Sequence, residues 1–394
     1  MNNNSIIIWG GDNFNTLGLL RQLHSDDHDI FFLMLGEPTR CASSSIWFRE
    51  YKITHSINEG FEFLKSHFIN EDLKPVLFTP SDEIIEFVDQ HKEELEEYYV
   101  IPGTRVQGLL TSIDDKNTMT ELARKLGFLV PSSQRLSRGM DINDVTYPVI
   151  VKPAHTIPGY KNEFKFKICH SQQSLRKTLK YVREESEFIL QQYIPKKSVA
   201  LVYGARMKEG NVEIAGTLIK DRFIANGDGS HGYLQADLPI GVERDKIEAF
   251  LEEINYYGLF SFEYGLCNDK AYFFEVNLRN DGTSHYFHQA GANIPLAWYF
   301  NSIGLSYDEI CTEITNEAWY IDEIFDITNV WSRNISRKQW ISDMKQATIY
   351  KYYHKEDMLP WKRMKRGKVR KILFDEIVAK FRIYIVWIIN KFKG

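Results

Sequence analysis

The chain has 394 residues, of which 43% are apolar and 14% aromatic. A chain of this length and composition can bury one large core or several smaller ones, which excludes wholesale disorder. The net charge of −5 hides an asymmetry, because residues 362–394 carry eleven Lys/Arg and two Asp/Glu while the rest is acidic. An acidic body argues against nucleic acid as a partner.

Cysteine spacing, apolar runs and the first residues indicate the cellular compartment. The four cysteines lie far apart and form no CxxC pair, which excludes a zinc ribbon and a disulfide scaffold and is typical of a reducing compartment. No apolar run reaches the roughly 18 residues that span a bilayer. The start, MNNNSIIIWGGD, lacks the basic region of a signal peptide. We therefore expect a cytoplasmic protein.

Residues 1–110 have the pattern of a Rossmann-like domain. The β-branched run Ser5–Trp9 ends in Gly10-Gly11, and an amphipathic stretch, Thr16–Leu23, follows, which predicts strand, turn and helix. Two buried strands and a helix are predicted next, at Asp29–Leu35, Pro75–Thr79 and Asp82–Tyr99. The segment GGDNFNTLG is not a clean GxGxxG fingerprint, which favours a scaffold without a nucleotide of its own.

A second α/β region begins near Thr111. A capped helix is predicted at Asp114–Leu126, ended by Gly127. Strands are then predicted at Tyr147–Lys152, Phe188–Tyr193, Val199–Tyr203, Val212–Ile219, Gly258–Tyr264 and Ala271–Val276. Beyond Ile294 the pattern becomes helical.

The strongest chemical signal is the segment FSFEYGLCNDKAYFFEVNLRN. Two strands joined by a turn at 267–270 predict a hairpin that can bring Glu263 and Glu275 to one face. Asn277 lies two residues after Glu275, and Arg279 follows by the same step, so strand alternation points all three the same way. Two carboxylates and an amide oxygen suit Mg²⁺ bridging nucleotide phosphates, and the arginine suits developing phosphoryl charge.

Together with three further motifs, this hairpin resembles the D-aspartate ligase-like carboxylate–amine ligases of the ATP-grasp superfamily. The first of these is a lysine at the start of a helix, Lys116, and the second is a lysine in a strand followed by proline, Lys152. The third is a QEYI-like hinge formed by Gln191, Gln192, Tyr193 and Ile194. The match extends over roughly residues 110–290. Gln192 occupies a position where the family often has a glutamate. Lys196 and Lys197 follow, where the family often has an acidic residue that binds the ribose hydroxyls.

The resemblance implies a fold, cofactors and site residues. It implies an α/β architecture of a Rossmann-like domain and a two-lobed ATP-grasp domain over 111–300, with lobes at 131–190 and 191–300, then a helical segment over 301–361. It implies ATP bound by Lys116, Lys152, Gln191, Gln192, Tyr193 and Ile194. Glu263, Glu275 and Asn277 would hold two Mg²⁺ ions, replaceable by Mn²⁺. The loop Ala154–Lys165 would close over the phosphates, with His155 as a further ATP ligand.

Candidate substrate groups lie in the polar segment Lys220–Tyr233. Arg222 could hold a substrate carboxylate or a phosphate, and His231 could deprotonate an incoming amine. A flexible, solvated loop is an equally good interpretation of this segment. The amino-terminal domain is expected to shape part of the substrate pocket, with Asn13, Asn15 and Asp82 as candidates.

The tail, residues 362–394, combines the basic cluster Lys362–Lys371 with an amphipathic stretch, Ile372–Lys393. This predicts an interfacial helix on an anionic membrane surface and a peripheral location on the inner face of the membrane. Docking of the tail on the acidic body or on a partner stays open.

The sequence thus predicts an ATP-dependent carboxylate–amine ligase that forms an amide through an acyl phosphate and releases ADP and phosphate. Its substrates would be small or lipid-linked carboxylates and amines, in cell-wall or surface-polysaccharide modification if the tail binds membrane. Two alternatives remain, namely a bicarbonate-activating carboxylase or carbamoyl-phosphate-type enzyme, and a non-enzymatic, membrane-associated ATP-binding protein. The oligomeric state is not predicted.

Overall fold

The computed structural model describes residues 4–69, 71–137, 145–153, 166–181, 187–225 and 227–368. Three β-sheets organise them, a parallel sheet near the amino terminus, a small antiparallel sheet and a large sheet. The phosphate-loop prediction at 154–165, including His155, lies outside the described residues. The tail helix predicted at 372–393 also lies outside them.

The amino-terminal sheet has the strand order β3-β2-β1-β4, with all pairs parallel. Its strands are β1 (Ile6–Gly11), β2 (Ile30–Leu35), β3 (Glu50–Thr54) and β4 (Val76–Phe78). Its helices are α1 (Phe14–Leu23), α2 (Ile57–His67), α3 (Asp82–Gln90) and α4 (Lys92–Leu95). Strand β1 is apolar and buried on both faces, as expected where helices cover a parallel sheet on both sides. The helix predicted at Asp82–Tyr99 is broken at His91, which leaves helical geometry.

The small sheet has the antiparallel order β6-β9-β7-β8. A two-residue strand, β5 (Gly103–Thr104), and two helices, α5 (Leu109–Asp114) and α6 (Lys116–Lys125), precede it. Its own elements are β6 (Ser133–Ser137), β7 (Val149–Pro153), β8 (Lys167–Cys169), α7 (Gln172–Leu179) and β9 (Glu187–Gln192). The helix predicted over 114–126 corresponds to α6, which follows α5 after a break at Asp115.

The large sheet has the order β14-β13-β10-β11-β12-β15-β16, and β5 pairs with β13. Its first part comprises β10 (Ser198–Arg206), β11 (Val212–Phe223), β12 (Gly229–Gln235), α8 (Arg244–Glu253), β13 (Tyr256–Cys267) and β14 (Lys270–Asn277). One face packs α6 and α8 through a cluster that includes Phe250, Phe260 and Phe262. The other face contributes Leu201, Tyr203 and Leu218 to a core shared with the amino-terminal sheet.

The carboxy-terminal elements are α9 (Ser284–Gln289), α10 (Ile294–Ser302), β15 (Ala318–Ile321), α11 (Ile327–Trp331), α12 (Arg337–Gln346) and β16 (Ile349–Tyr350). Residues 359–368 are helical. The segment 301–361, predicted to be helical, therefore also contains two strands that extend the large sheet. They are four and two residues long, too short for a period-2 pattern to stand out.

Residues 357–364 contact the amino-terminal domain and the core that it shares with the large sheet. Arg21 on α1 forms a fully buried ion pair with Asp357, with Nε and Oδ2 3.0 Å apart. Trp361 and Met364 pack against the shared core, so the first residues of the basic tail lie on the body. In the described part of the chain, no helix is long and apolar enough to cross a membrane.

Candidate active site

The acidic pair of the hairpin is positioned by an irregularity in strand pairing. Glu263 on β13 lies directly opposite Glu275 on β14, but the register shifts by one residue between Glu263 and Tyr264. Phe274 is the additional residue, which makes this a β-bulge. If regular pairing continued through Phe274, Glu275 would instead pair with Phe262 and point to the other face of the sheet. The bulge therefore brings both carboxylates to one face.

Asn277 continues this face and joins a buried polar network. It lies opposite Ser261, and its Nδ2 donates to Ser261 Oγ at 3.1 Å. Ser261 Oγ in turn donates to Asp281 Oδ2 at 3.1 Å. Arg279 donates from Nη2 to Asn277 Oδ1 at 3.2 Å and pairs with Asp82 of the amino-terminal domain. The predicted amide and guanidinium groups thus lie together beside the acidic pair.

Two lysines supply positive charge on the same face. Lys220, largely buried on β11, holds its Nζ 2.7 Å from Glu263 Oε1. Burial alone would lower the pKa of Lys220, but Glu263 and Asp281 raise it, so the ammonium stays charged. Burial alone would raise the pKa of Asp281, which Lys220 and hydrogen bonds from Thr283 instead lower. Lys196 places its Nζ 5.0 Å from the ring centre of Phe274.

The donor set fits a hard divalent cation. Two carboxylates facing each other across a strand pair and an amide one step further offer oxygen ligands alone, which Mg²⁺ prefers. In the described residues, no three His, Cys, Asp or Glu side chains are placed to hold a metal ion between them. A metal at this site would therefore complete its coordination with the amide, water or phosphate oxygens.

Two of the predicted nucleotide residues contact each other in the small sheet. Lys152 on β7 donates from Nζ to Gln191 Oε1 on β9 at 2.6 Å. Gln192, which ends β9, is held by its backbone N–H donating to Ser132 O at 2.8 Å. Tyr193 and Ile194 follow as the link to β10, and Lys116 begins α6. The geometry thus groups Lys152 with the hinge residues.

Arg222 and His231 lie in a pocket at the edge of the large sheet. Arg222 donates from Nε and Nη2 to the two carboxylate oxygens of Asp326 at 2.9 and 3.0 Å, and from Nη1 to Asp343 at 2.8 Å. His231 holds its Nδ1 2.7 Å from Asp221 Oδ1. The guanidinium of Arg222 is therefore engaged by two carboxylates, which fix the wall of the pocket.

Sequence reasoning overlooked Lys220, Asp221 and Asp281. The pattern ended the strand at Ile219 and assigned Lys220 to a loop, whereas β11 continues to Phe223. That extension places Lys220 on the face of the sheet beside Glu263. No alternation marks this extension in the sequence, because residues 220, 221 and 222 are all charged.

Sequence comparison finds two relatives, and no protein-family model matches the chain. The chain is 27% identical over 214 residues to the carbamoyl phosphate synthase large chain, C-terminal section, of Methanopyrus kandleri, covering 50% of this chain and 38% of that protein. It is 24% identical over 251 residues to D-aspartate ligase of Enterococcus faecium, covering 58% of this chain and 59% of the relative. The matches thus span less than two thirds of either relative.

Structural comparison extends over more of the chain. An ADP complex of N5-carboxyaminoimidazole ribonucleotide synthetase superposes with a TM-score of 0.64 at 16% identity, covering 84% of this chain and 85% of that one. At this identity the match shows a common fold. The parallel sheet, the small antiparallel sheet and the large sheet follow in the order that the motifs predicted. The chain therefore shares the fold of this synthetase, which is the ATP-grasp fold that the motifs predicted.

Proposed function

We propose that this protein is an ATP-dependent ligase that joins a carboxylate to an amine. The carboxylate attacks the γ-phosphorus of ATP, ADP leaves, and an acyl phosphate forms. The amine then displaces phosphate to give the amide. The observation that carries the proposal is the acidic pair, Glu263 opposite Glu275, with Asn277 on the same face and Lys220 beside it.

The residues of the site have distinct tasks in this reaction. Glu263, Glu275 and Asn277 would hold Mg²⁺, which when bound neutralises charge on the β- and γ-phosphates. Lys152, oriented by Gln191, would supply an ammonium group to the phosphates, and the family resemblance assigns the same task to Lys116. Arg279 stabilises negative charge that develops as the phosphoryl group is transferred.

The relatives support this reaction class by their names. D-aspartate ligase is a ligase, and the superposed synthetase was solved with ADP, the product that acyl-phosphate ligation releases. We therefore expect this chain to form ADP in a reaction that requires both a carboxylate and an amine.

Nucleotide turnover by the full chain tests the proposal. Purified protein with Mg²⁺, ATP and pools of amino acids and sugar acids should form ADP and phosphate with a particular pool. Glu275→Gln keeps the size of the side chain and removes the charge, so turnover should fall by about 100-fold or more. Glu309→Gln, at an exposed position, is the matched control and should keep wild-type turnover. Undiminished turnover in Glu275→Gln would refute the metal assignment.

Bicarbonate activation is a second candidate, favoured by the similarity to carbamoyl phosphate synthase. In that case bicarbonate takes the place of the organic carboxylate, and ADP formation should rise with bicarbonate alone. A bicarbonate titration in buffer depleted of carbon dioxide separates the two candidates, because an amide-forming ligase would turn over without it.

Membrane attachment through residues 369–394 would suit a lipid-linked substrate. The preceding basic residues already contact the body, since Arg363 donates to Ser44 Oγ at 3.0 Å and Lys368 lies 4.5 Å from the ring centre of Phe325. A chain ending at 368 keeps these contacts and lacks the apolar stretch. The full chain should co-sediment with anionic liposomes and the shortened one should not. Equal co-sedimentation of both would refute attachment through 369–394.

A further inference from the structure

A pocket of about 620 Å³ opens where β11, β12 and β15 meet α12. Its volume is typical of sites for small molecules. Eight of the eleven residues that line it have polar or charged side chains, and the eleven are Asp221, Arg222, Phe223, His231, Trp319, Asn329, Asn334, Ile335, Gln339, Asp343 and Gln346. This lining indicates a polar ligand.

One imidazole in this pocket is held in a defined orientation. His231 is 6% exposed and lies 5.3 Å from Trp319, ring centre to ring centre, in a stacked arrangement. Because Asp221 Oδ1 is the acceptor 2.7 Å away, Nδ1 carries the proton, and Nε2 of the neutral ring presents a lone pair. Nε2 is buried and has no hydrogen-bond partner in the described part of the chain. A buried acceptor without a partner costs free energy, so this atom points to a ligand.

The charges around the pocket favour a cation. Asp221 belongs to β11, Asp326 borders α11 and Asp343 lies on α12, so three carboxylates accompany the guanidinium of Arg222. The three hydrogen bonds from Arg222 go to Asp326 and Asp343, and Asp221 contacts His231. A primary amine enters such a pocket favourably as an ammonium ion.

The pocket adjoins the acidic pair through three consecutive residues. Lys220 contacts Glu263, Asp221 contacts His231, and Arg222 forms the pocket wall. Phe223 completes the connection, because it lines the pocket and its ring centre lies 5.4 Å from Lys196 Nζ. One short segment of β11 therefore joins the pocket to the acidic pair.

We propose that this pocket binds the amine substrate, a small polar primary amine, and that His231 Nε2 removes a proton from its ammonium group. This inference rests on the proposed ligase function and assigns the second half-reaction. The free amine attacks the acyl carbon, the C–N bond forms, and the C–O bond to phosphate breaks. Of the two protons lost from nitrogen, His231 takes one and the departing phosphate takes the other, so charge and atoms balance. Asp221 is a positioning residue that fixes the tautomer.

Hydroxylamine separates this inference from the proposed function, because it is uncharged at neutral pH and attacks an acyl phosphate without a base. The full-length protein is assayed with ATP, Mg²⁺ and a mixture of amino acids, with either hydroxylamine or one of three amines, namely glycinamide, ethanolamine and glucosamine. Wild-type protein should form hydroxamates and should couple at least one of the three amines.

The His231→Gln variant should form hydroxamates at close to the wild-type rate. Its amide formation at pH 7 should fall by about 10²–10⁴-fold, the usual range for a general base, and should recover partly as pH rises and free amine appears. His55→Gln, at an exposed site, is the matched control. Asp221→Asn should leave hydroxamates unchanged and alter the acid limb of the pH profile for amide formation, and Asp221→Glu should restore part of it.

Each of the other possible results contradicts one part of the proposal. Equal loss of hydroxamate and amide in His231→Gln, or loss of neither, would overturn the assigned role while leaving the ligase function intact. Wild-type protein that forms hydroxamates but couples none of the three amines would overturn the assigned amine class. Wild-type protein that forms neither product would refute the proposed function itself.

Discussion

At the scale of single residues, each of three neighbours on β11 has a separate task. Lys220 neutralises Glu263, Asp221 holds His231, and Arg222 joins Asp326 to Asp343. In a regular strand, neighbours point to opposite faces, but the register of β11 against β12 shifts between Lys220 and Arg222. This irregularity lets one short segment serve both the acidic pair and the pocket.

One buried histidine and two partly buried ones make stability dependent on pH. His285 packs against His288 and His354, with ring centres 5.5 and 5.7 Å apart. Burial lowers the pKa of each below its usual value, to about 4 for His288. The unfolded chain binds protons at these groups below about pH 6.5, whereas the folded protein does not. Stability should therefore be retained above that pH and lost as the pH falls from about 6.5 towards 4.

We expect the free energy of unfolding to be lower at pH 5 than at pH 7.5, with about 2 kcal/mol of the difference arising from His288. Urea denaturation at the two pH values measures this. His288→Phe should show a smaller difference than wild type, because the new side chain cannot be protonated. An identical pH dependence in both proteins would contradict this account of the cluster.

At the scale of elements, strand register in the hairpin decides the geometry of the acidic pair. Deleting Phe274 should remove the bulge and leave Glu275 opposite Glu263, because the pairs on either side of the additional residue stay the same, so Mg²⁺-dependent ATP turnover should remain within about tenfold of wild type. Deleting Ala271 together with Phe274 takes a paired residue out of the strand as well and should place Glu275 opposite Tyr264, on the other face, so turnover should fall by about 100-fold or more. Steady-state ADP formation by both variants, with circular dichroism to verify folding, tests this. Equal activities would contradict the role of strand register.

The elements also show what the sequence can predict. Apolar alternation and turn residues predicted the hairpin and the strands of the amino-terminal domain, because these depend on local patterns, whereas the order of the domains was implied by the family resemblance. A regular hairpin with its turn at Asn268-Asp269 pairs Glu263 with Phe274, so the register could not be read from local sequence. The two carboxylates that engage Arg222 lie about a hundred residues away along the chain, and no local pattern announces such contacts.

At the scale of the whole molecule, the buried ion pair between Arg21 and Asp357 connects the amino-terminal domain to the carboxy-terminal segment. Ser45 Oγ also donates to Asp357 at 2.9 Å, and Arg21 Nη2 donates to the carbonyl of Tyr352 at 2.9 Å. Burial lowers the pKa of Arg21, an effect that Asp357 opposes. The pair thus holds the carboxy-terminal segment against α1.

Removing one charge of this pair should be costly, because the other stays buried without its counterion. Asp357→Asn should lower the free energy of unfolding by about 3–5 kcal/mol. Arg49→Ala removes an exposed pair, whose side chains are 66% and 57% exposed, and should cost about 0–1 kcal/mol. Guanidinium denaturation of the two variants measures the contrast, and losses of similar size would contradict the anchoring role.

The central claim is that the protein activates a carboxylate as an acyl phosphate. Once a substrate pool is found, the carboxylate can be labelled with ¹⁸O on both oxygens and the released phosphate analysed by mass spectrometry. The account predicts ADP as the nucleotide product and one ¹⁸O atom in each phosphate, because the bond between the carboxylate oxygen and phosphorus survives amide formation. Unlabelled phosphate, or label found in AMP, would contradict it.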